Sequence, residues 1–106
     1  MRIDTTTGLC DDALFVPSPN CDSRPEGCSV DVVVLHSISL PPGQYHSPDS
    51  MAEHPVAQFF CNKLDTQAHP FYQEIKGLTV SAHFFISRAG SVVQVLPISA
   101  RAWHAG

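Results

Sequence analysis

The sequence predicts an α/β domain of three strands and two short helices. Three stretches carry that expectation. Val32-Val33-Val34-Leu35 is an aliphatic run too short for a helix and too apolar for a surface, so it reads as a buried central strand. Val56, Phe59, Phe60 and Leu64 recur at helix spacing. Val80, Ala82, Phe84 and Ile86 alternate with other residues at strand spacing, and a turn then sends the chain back.

In chain order, residues 1–13 are rich in Thr and Asp and read as a flexible lead-in. Leu14-Phe15-Val16 is a short apolar anchor. Pro17-Ser18-Pro19-Asn20 and Arg24-Pro25 then impose an extended, turn-rich course, a strap lying across the domain before the central strand. The central run stops at His36, and Pro41-Pro42-Gly43 forbids further ladder pairing or helix. A polar loop follows as far as His54. Pro55 suits a first helical position, and a helix is expected over 55–63. Phe71 to Lys76 forms a second, shorter one, closed by Gly77.

The strand over 80–87 places His83 on the face shared by Ser81, Phe85 and Ser87, opposite its aliphatic face. Arg88-Ala89-Gly90-Ser91 is a hairpin turn in which Gly90 is free to take positive φ. Ser91 to Leu96 returns as the partner strand. A loop carrying Trp103 and His104 closes the sequence. Three strands and two helices leave sheet edges and helix faces uncovered, so the chain is expected to be a fragment of a larger domain.

Composition narrows the function classes. The chain has 106 residues, enough for one domain, with 43% hydrophobic and 15% charged residues, which suits a globular protein. Its net charge is −4 and no basic cluster occurs, which argues against nucleic acid and anionic membranes as partners. No segment could span a bilayer, and the N-terminus lacks the apolar core of a secretory signal. A cytoplasmic location is the expectation. The cysteines Cys10, Cys21, Cys28 and Cys61 form no CxxC pair and read as free thiols in a reducing compartment. A zinc site from Cys21 and Cys28 with histidines is conceivable, but its spacing matches no common zinc module. His36, at the mouth of the apolar run, reads either as a polar cap bonded to a carbonyl or as a metal ligand or catalyst.

Five stretches, taken together, resemble one family. They are Pro17-Ser18-Pro19-Asn20 with Arg24-Pro25; Leu35-His36-Ser37-Ile38-Ser39-Leu40-Pro41-Pro42-Gly43; Ala68-His69-Pro70-Phe71; Val80-Ser81-Ala82-His83-Phe84; and Arg101-Ala102-Trp103-His104-Ala105-Gly106. In this order and spacing they resemble the N-terminal part of the AmpD family of 1,6-anhydro-N-acetylmuramyl-L-alanine amidases. Residues 14–106 carry the likeness. It implies the fold shared with phage amidases and peptidoglycan recognition proteins, a mixed central β-sheet flanked by helices, here truncated at its C-terminal side.

The resemblance also implies a chemistry. The reaction is zinc-dependent hydrolysis of the amide between (1,6-anhydro-)N-acetylmuramic acid and the L-alanine of the stem peptide, during cytoplasmic cell-wall recycling by a monomeric enzyme. His36 matches the family's first Zn2+ ligand. Trp103 and His104 match residues lining or neighbouring the substrate cleft, and Ser37 stands where a substrate-contacting Asn is frequent. His83 matches a strand histidine expected to serve structure or to support a ligand. His46, His54 and His69 match no catalytic position and suit surface or capping roles. The family's second zinc His, its Asp, a catalytic Glu and a Lys belong beyond Gly106. Arg is frequent where Thr79 stands, and Ala82 replaces the catalytic Tyr of phage-type relatives. One imidazole cannot hold zinc against water, so this chain is expected to be inactive alone. The other expectation is a non-catalytic muropeptide-binding or regulatory module.

Overall fold

Strand pairing gathers around Val92–Gln94 and not around the aliphatic run near residue 33. The computed structural model describes residues 2–44 and 50–104. Strand β1 (Leu14–Phe15), helices α1 (Pro55–Phe60) and α2 (Pro70–Glu74), and strands β3 (Phe84–Ile86) and β4 (Val92–Gln94) follow one another in the chain. Between β1 and α1 lies β2 (Cys21–Ser23), and β5 (Ala100–Ala102) follows β4. β1 pairs with β4 in parallel and β3 pairs with it antiparallel, giving a mixed sheet of order β1-β4-β3. β2 and β5 form a second, antiparallel pair. The fold class is therefore the mixed α/β one that the resemblance implies.

The central strand expected over Val32–Leu35 is not formed. These four side chains are 71%, 85%, 77% and 89% exposed, and the segment carries no strand assignment. Aliphatic β-branched sequence creates a preference for extended backbone, but a strand also needs neighbours to bond. Both edges of β4 are already occupied by β1 and β3, and no described strand pairs with residues 31–38.

The hairpin is where alternation predicts it, with its faces exchanged. Ser81, Phe85 and Ser87 are the buried set, while Ile86 is 63% exposed. What decides is the neighbour on each side. The His54 ring packs on Phe85 with centroids 4.5 Å apart, and Phe85 joins Val56, Phe60, Tyr72, Val93 and Leu96 in the core. Serine is small enough to sit inside when bonded, and Ser87 Oγ accepts from the Ser91 amide at 3.1 Å. Gly90 takes φ 92° in this turn.

Each helix begins at a His-Pro step. His54 Nδ1 accepts from the Val56 amide at 3.2 Å, and His69 Nδ1 accepts from the Phe71 amide at 3.0 Å. Proline has no amide to satisfy in that first turn, so an imidazole N-cap followed by Pro closes the account. Both histidines thus serve as the caps expected of them; His46 lies outside the described residues. α1 stops short of residue 63 because Asn62 turns left-handed at φ 60°. The Asn62 amide then bonds Phe59 O at 3.1 Å and the Lys63 amide bonds Gln58 O at 2.8 Å, the two bonds of a Schellman ending.

The first residues, expected as a flexible lead-in, fold against β4. Ile3 and Cys10 form an isolated antiparallel bridge. The buried Gln94 side chain accepts from the Cys10 amide at 2.7 Å and donates to Gly8 O and Leu96 O, each at 2.9 Å. Gly8 is required there. A Cβ on it would stand 3.0 Å from Pro97 Cβ, and its φ of 73° is left-handed.

Candidate functional site

The strap after β1 sets the position of the closing loop. Asn20 is only 2% exposed. Its Nδ2 lies 3.1 Å from Phe60 O, 2.8 Å from Asn62 Oδ1 and 2.9 Å from Val80 O, so its two hydrogens serve three acceptors and one bond is shared. Asn62 Nδ2 donates back to Asn20 Oδ1 at 2.9 Å. The main chain of the same residue holds the site: Trp103 N donates to Asn20 O at 3.1 Å, and Trp103 O accepts from Ser81 N at 2.7 Å. One buried amide thereby joins the strap, the end of α1, residue 80 and the Trp103 backbone.

Beside that anchor, β5 carries an ion pair. Asp22 and Arg101 face each other in the β2–β5 register, and the guanidinium meets the carboxylate through Nε at 2.6 Å and Nη2 at 2.5 Å. The Arg101 hydrogen bonds hold the Asp22 carboxyl below the usual carboxylate range, with a smaller contribution from the Trp103 side chain. No motif in the sequence points to this pair, because its partners come from separate segments.

The anchored loop brings His104 to His36. His36 Nδ1 is 3.3 Å from His104 Nε2, with ring centroids 5.0 Å apart and planes tilted by 49°. Both side chains are exposed. The separation is the edge length that two nitrogens on one tetrahedral zinc would have, about 3.3 Å for bonds of 2.0–2.1 Å. It also suits two imidazoles sharing one proton, which leaves His36 Nε2 open. Trp103, 42% exposed, directly precedes His104 in the chain. Ser37 is exposed in the same segment as His36, with no recorded bond to the pair.

Other expected residues lie in different settings. His83 Nε2 is 2.8 Å from Ala100 O, which fixes it as a donor, and Arg24 Nη2 stands 3.3 Å from the same nitrogen. Its ring therefore ties β3's approach to β5 and holds structure. Cys10 and Cys61 are buried, Cys21 is half-buried and Cys28 is exposed, all as thiols. Among the described residues no three His, Cys, Asp or Glu side chains cluster as a metal site, so neither Cys21 nor Cys28 completes one. The donor set present thus fits a zinc ion only in part: two imidazole nitrogens, short of the three protein ligands of a catalytic site. A depression of ≈ 270 Å³ lined by Phe59, Leu64, Ile75 and Leu78 contains no histidine and lies apart from this chemistry.

Comparison with known proteins agrees with the motifs. The sequence pattern of the N-acetylmuramoyl-L-alanine amidase family matches residues 26–106. The 1,6-anhydro-N-acetylmuramyl-L-alanine amidase AmpD of Escherichia coli (strain K12) is 46% identical over 91 residues, covering 86% of this chain and 46% of that protein. The AmpD of Enterobacter cloacae is 45% identical over 95 residues, covering 90% of this chain and 48% of that protein. A crystal structure of a selenomethionine AmpD derivative superposes on all of this chain with a TM-score of 0.86 and 40% identity, the chain covering 55% of it. The chain thus spans about half the length of the curated relatives it matches. Among the described residues no helix is long and apolar enough to cross a membrane.

Proposed function

Because this chain belongs to the N-acetylmuramoyl-L-alanine amidase family, we propose that it supplies the His36 side of a zinc amidase acting on muropeptides. The substrate is a 1,6-anhydro-N-acetylmuramyl peptide, cut between the lactyl group and L-alanine during cytoplasmic recycling of cell wall by a monomer. The observation that carries this reading is the meeting of His36 and His104, from two of the family-like motifs, at 3.3 Å.

Amide hydrolysis needs an activated water, a polarised carbonyl and a proton for the leaving amine. Zinc, when bound, supplies the Lewis acid and lowers the pKa of water to about 7. This chain's own residues do the rest of what is assigned to it. His36 is the metal ligand, and the remaining ligands come from outside the described residues. His104, held by the Asn20–Trp103 backbone bond, is within reach of a group bound beside His36. Trp103 offers an apolar face to the sugar or lactyl group, and Ser37 a hydroxyl to the same substrate.

The test is a chimera in which this chain replaces the matching part of the E. coli protein. Release of the alanine-headed peptide from anhydro-muropeptide, followed by mass spectrometry, is expected from the chimera and is abolished by His36→Ala. A folded chimera without turnover overturns the reading. The 106-residue chain alone is expected to give no turnover.

One observation favours a second reading. Trp103 and Ser37, each adjacent in sequence to one ring of the His36–His104 pair, are exposed, which suits a module that binds muropeptide without cutting it. Micromolar binding of anhydro-muropeptide by the 106-residue chain, with the ligand recovered intact and no catalysis in the chimera, supports it. Absence of binding removes it.

A further inference from the structure

The outward face of the β2–β5 pair carries three side chains that act in series. Asp22 and Arg101 are register partners, and Trp103 lies two residues beyond Arg101. The Trp103 N–Asn20 O bond extends the same register by one pair, so the pleat turns Trp103 to the face of Arg101 and Asp22. Burial agrees: Asp22, Arg101 and Trp103 are exposed, whereas Cys21 and Ala102 are half-buried. Asp22 and Trp103 are thus diagonal neighbours across the pair, a separation that a side chain as long as indole bridges.

What each member gives the next follows from its polar atoms. Arg101 reaches both carboxylate oxygens of Asp22, through Nε at 2.6 Å and Nη2 at 2.5 Å, and this fork fixes the plane of the carboxylate. Two bonds do not exhaust the acceptor sites of a carboxylate. The Trp103 side chain supplies a further hydrogen bond to the same group, and the indole Nε1–H is the one polar group it has to donate. The Trp103 main chain is pinned on both sides, by Asn20 O at 3.1 Å and by Ser81 N at 2.7 Å. With the backbone fixed, only the side-chain torsions decide which way the ring faces, and a bond at its edge restricts them.

We propose that Asp22 is a positioning residue for Trp103: gripped by Arg101, its carboxylate holds the indole N–H and sets the face that the ring turns to a ligand beside His104 and His36. What meets that face rests on the amidase reading, in which it is the sugar or lactyl group of the muropeptide. The hold on the ring does not. An untethered ring at a wet surface samples several rotamers on the picosecond to nanosecond scale, and a ligand then has to select one of them. Asp22 itself touches no substrate. Its effect passes through the ring, so it acts on binding and leaves the bond-breaking step alone.

Trp103 is the only tryptophan, so the fluorescence of the 106-residue chain reports this ring alone. In time-resolved anisotropy, the amplitude of sub-nanosecond depolarisation is expected to rise at least about twofold in Asp22→Ala. It is expected to rise less in Asp22→Asn, which keeps one acceptor oxygen, and to rise also in Arg101→Gln. Each variant is expected to keep the circular dichroism of the parent, because the pair is exposed. In the chimera with the E. coli protein, Asp22→Ala is expected to raise KM about 5–10-fold and to change kcat less than about twofold. A ring as still in all three variants as in the parent overturns the proposal. So does a freed ring with KM unmoved, or a fall in kcat at constant KM. A parent chimera without turnover removes the amidase reading and not the hold on the ring, which the anisotropy decides by itself.

Discussion

His36 Nδ1 and His104 Nε2 stand 3.3 Å apart although one follows an unpaired segment and the other follows a strand. The two rings are therefore unequal. The His104 backbone is reached from Trp103, which is bonded on both sides, whereas the backbone around His36 has no recorded bond of its own. The pair is half built. Zinc titration of the 106-residue chain against a chromophoric chelator is expected to show only weak binding, with a Kd above about 1 µM, because two imidazoles leave the ion mostly hydrated. His36→Ala abolishes even this. In the chimera, His104→Ala is expected to keep one zinc per chain while turnover falls about 10–100-fold; loss of the zinc instead makes His104 a ligand.

Gln94 offers a test of the N-terminal fold. Its buried side chain satisfies the Cys10 amide and two carbonyls. Gln94→Ala leaves the Cys10 amide and Leu96 O without partners, Gly8 O keeping its bond from the Ile98 amide, and opens a cavity beside β4. A loss of about 2–3 kcal/mol in urea denaturation is expected, with increased exchange at Cys10. A loss below about 0.5 kcal/mol means that water replaces the amide.

The Asp22–Arg101 pair predicts a pH dependence with a definite sign. The guanidinium holds the folded carboxyl below its ordinary value of about 3.9. A group depressed on folding contributes stability that is fully present above the unfolded pKa and is lost as pH falls through the folded one. The melting-temperature gap between the parent chain and Asp22→Asn is therefore expected to be constant from pH 5 to 8 and to close on acidification below about pH 4. The gap is small, because the two side chains are 54% and 40% exposed. A gap that widens in acid contradicts the pairing.

Thiol reactivity should separate the cysteines. Cys28 is exposed, while Cys61 is 6% exposed and burial pushes its thiol up. Pulsed alkylation at pH 8 followed by peptide mapping is expected to label Cys28 first and Cys61 only at the rate of unfolding. Early labelling of Cys61 would show that α1 opens locally.

Local signals were the legible ones. Pro55 at a first helical position and the apolar spacing after it mark α1, and the turn at Gly90 marks the hairpin, since each depends on residues close in sequence; the second helix, expected from Phe71 to Lys76, instead runs from Pro70 to Glu74. The inverted faces of β3 were not legible, because Ser81 and Ser87 are inside only through bonds to distant or returning backbone. The Asp22–Arg101 pair and the Asn20 hub were hidden for the same reason: their partners are far apart in the chain. At the candidate site, His36 and His104 were named from motifs, but their contact needed the folded strap. The aliphatic run misled in an informative way. Its sequence states what the segment prefers, and the structure states which neighbours are present.

Arg24 and Leu40 fasten the two ends of the unpaired run, and this changes the thermodynamics of completing the site. A free peptide joining a sheet surrenders its overall translation and the entropy of closing a loop. A segment pinned at both ends has surrendered most of this during folding, and the cost left is local backbone ordering. The tether also keeps His36 at an effective concentration on the order of millimolar relative to His104. A group bound between the two rings therefore meets an almost intramolecular pair of imidazoles.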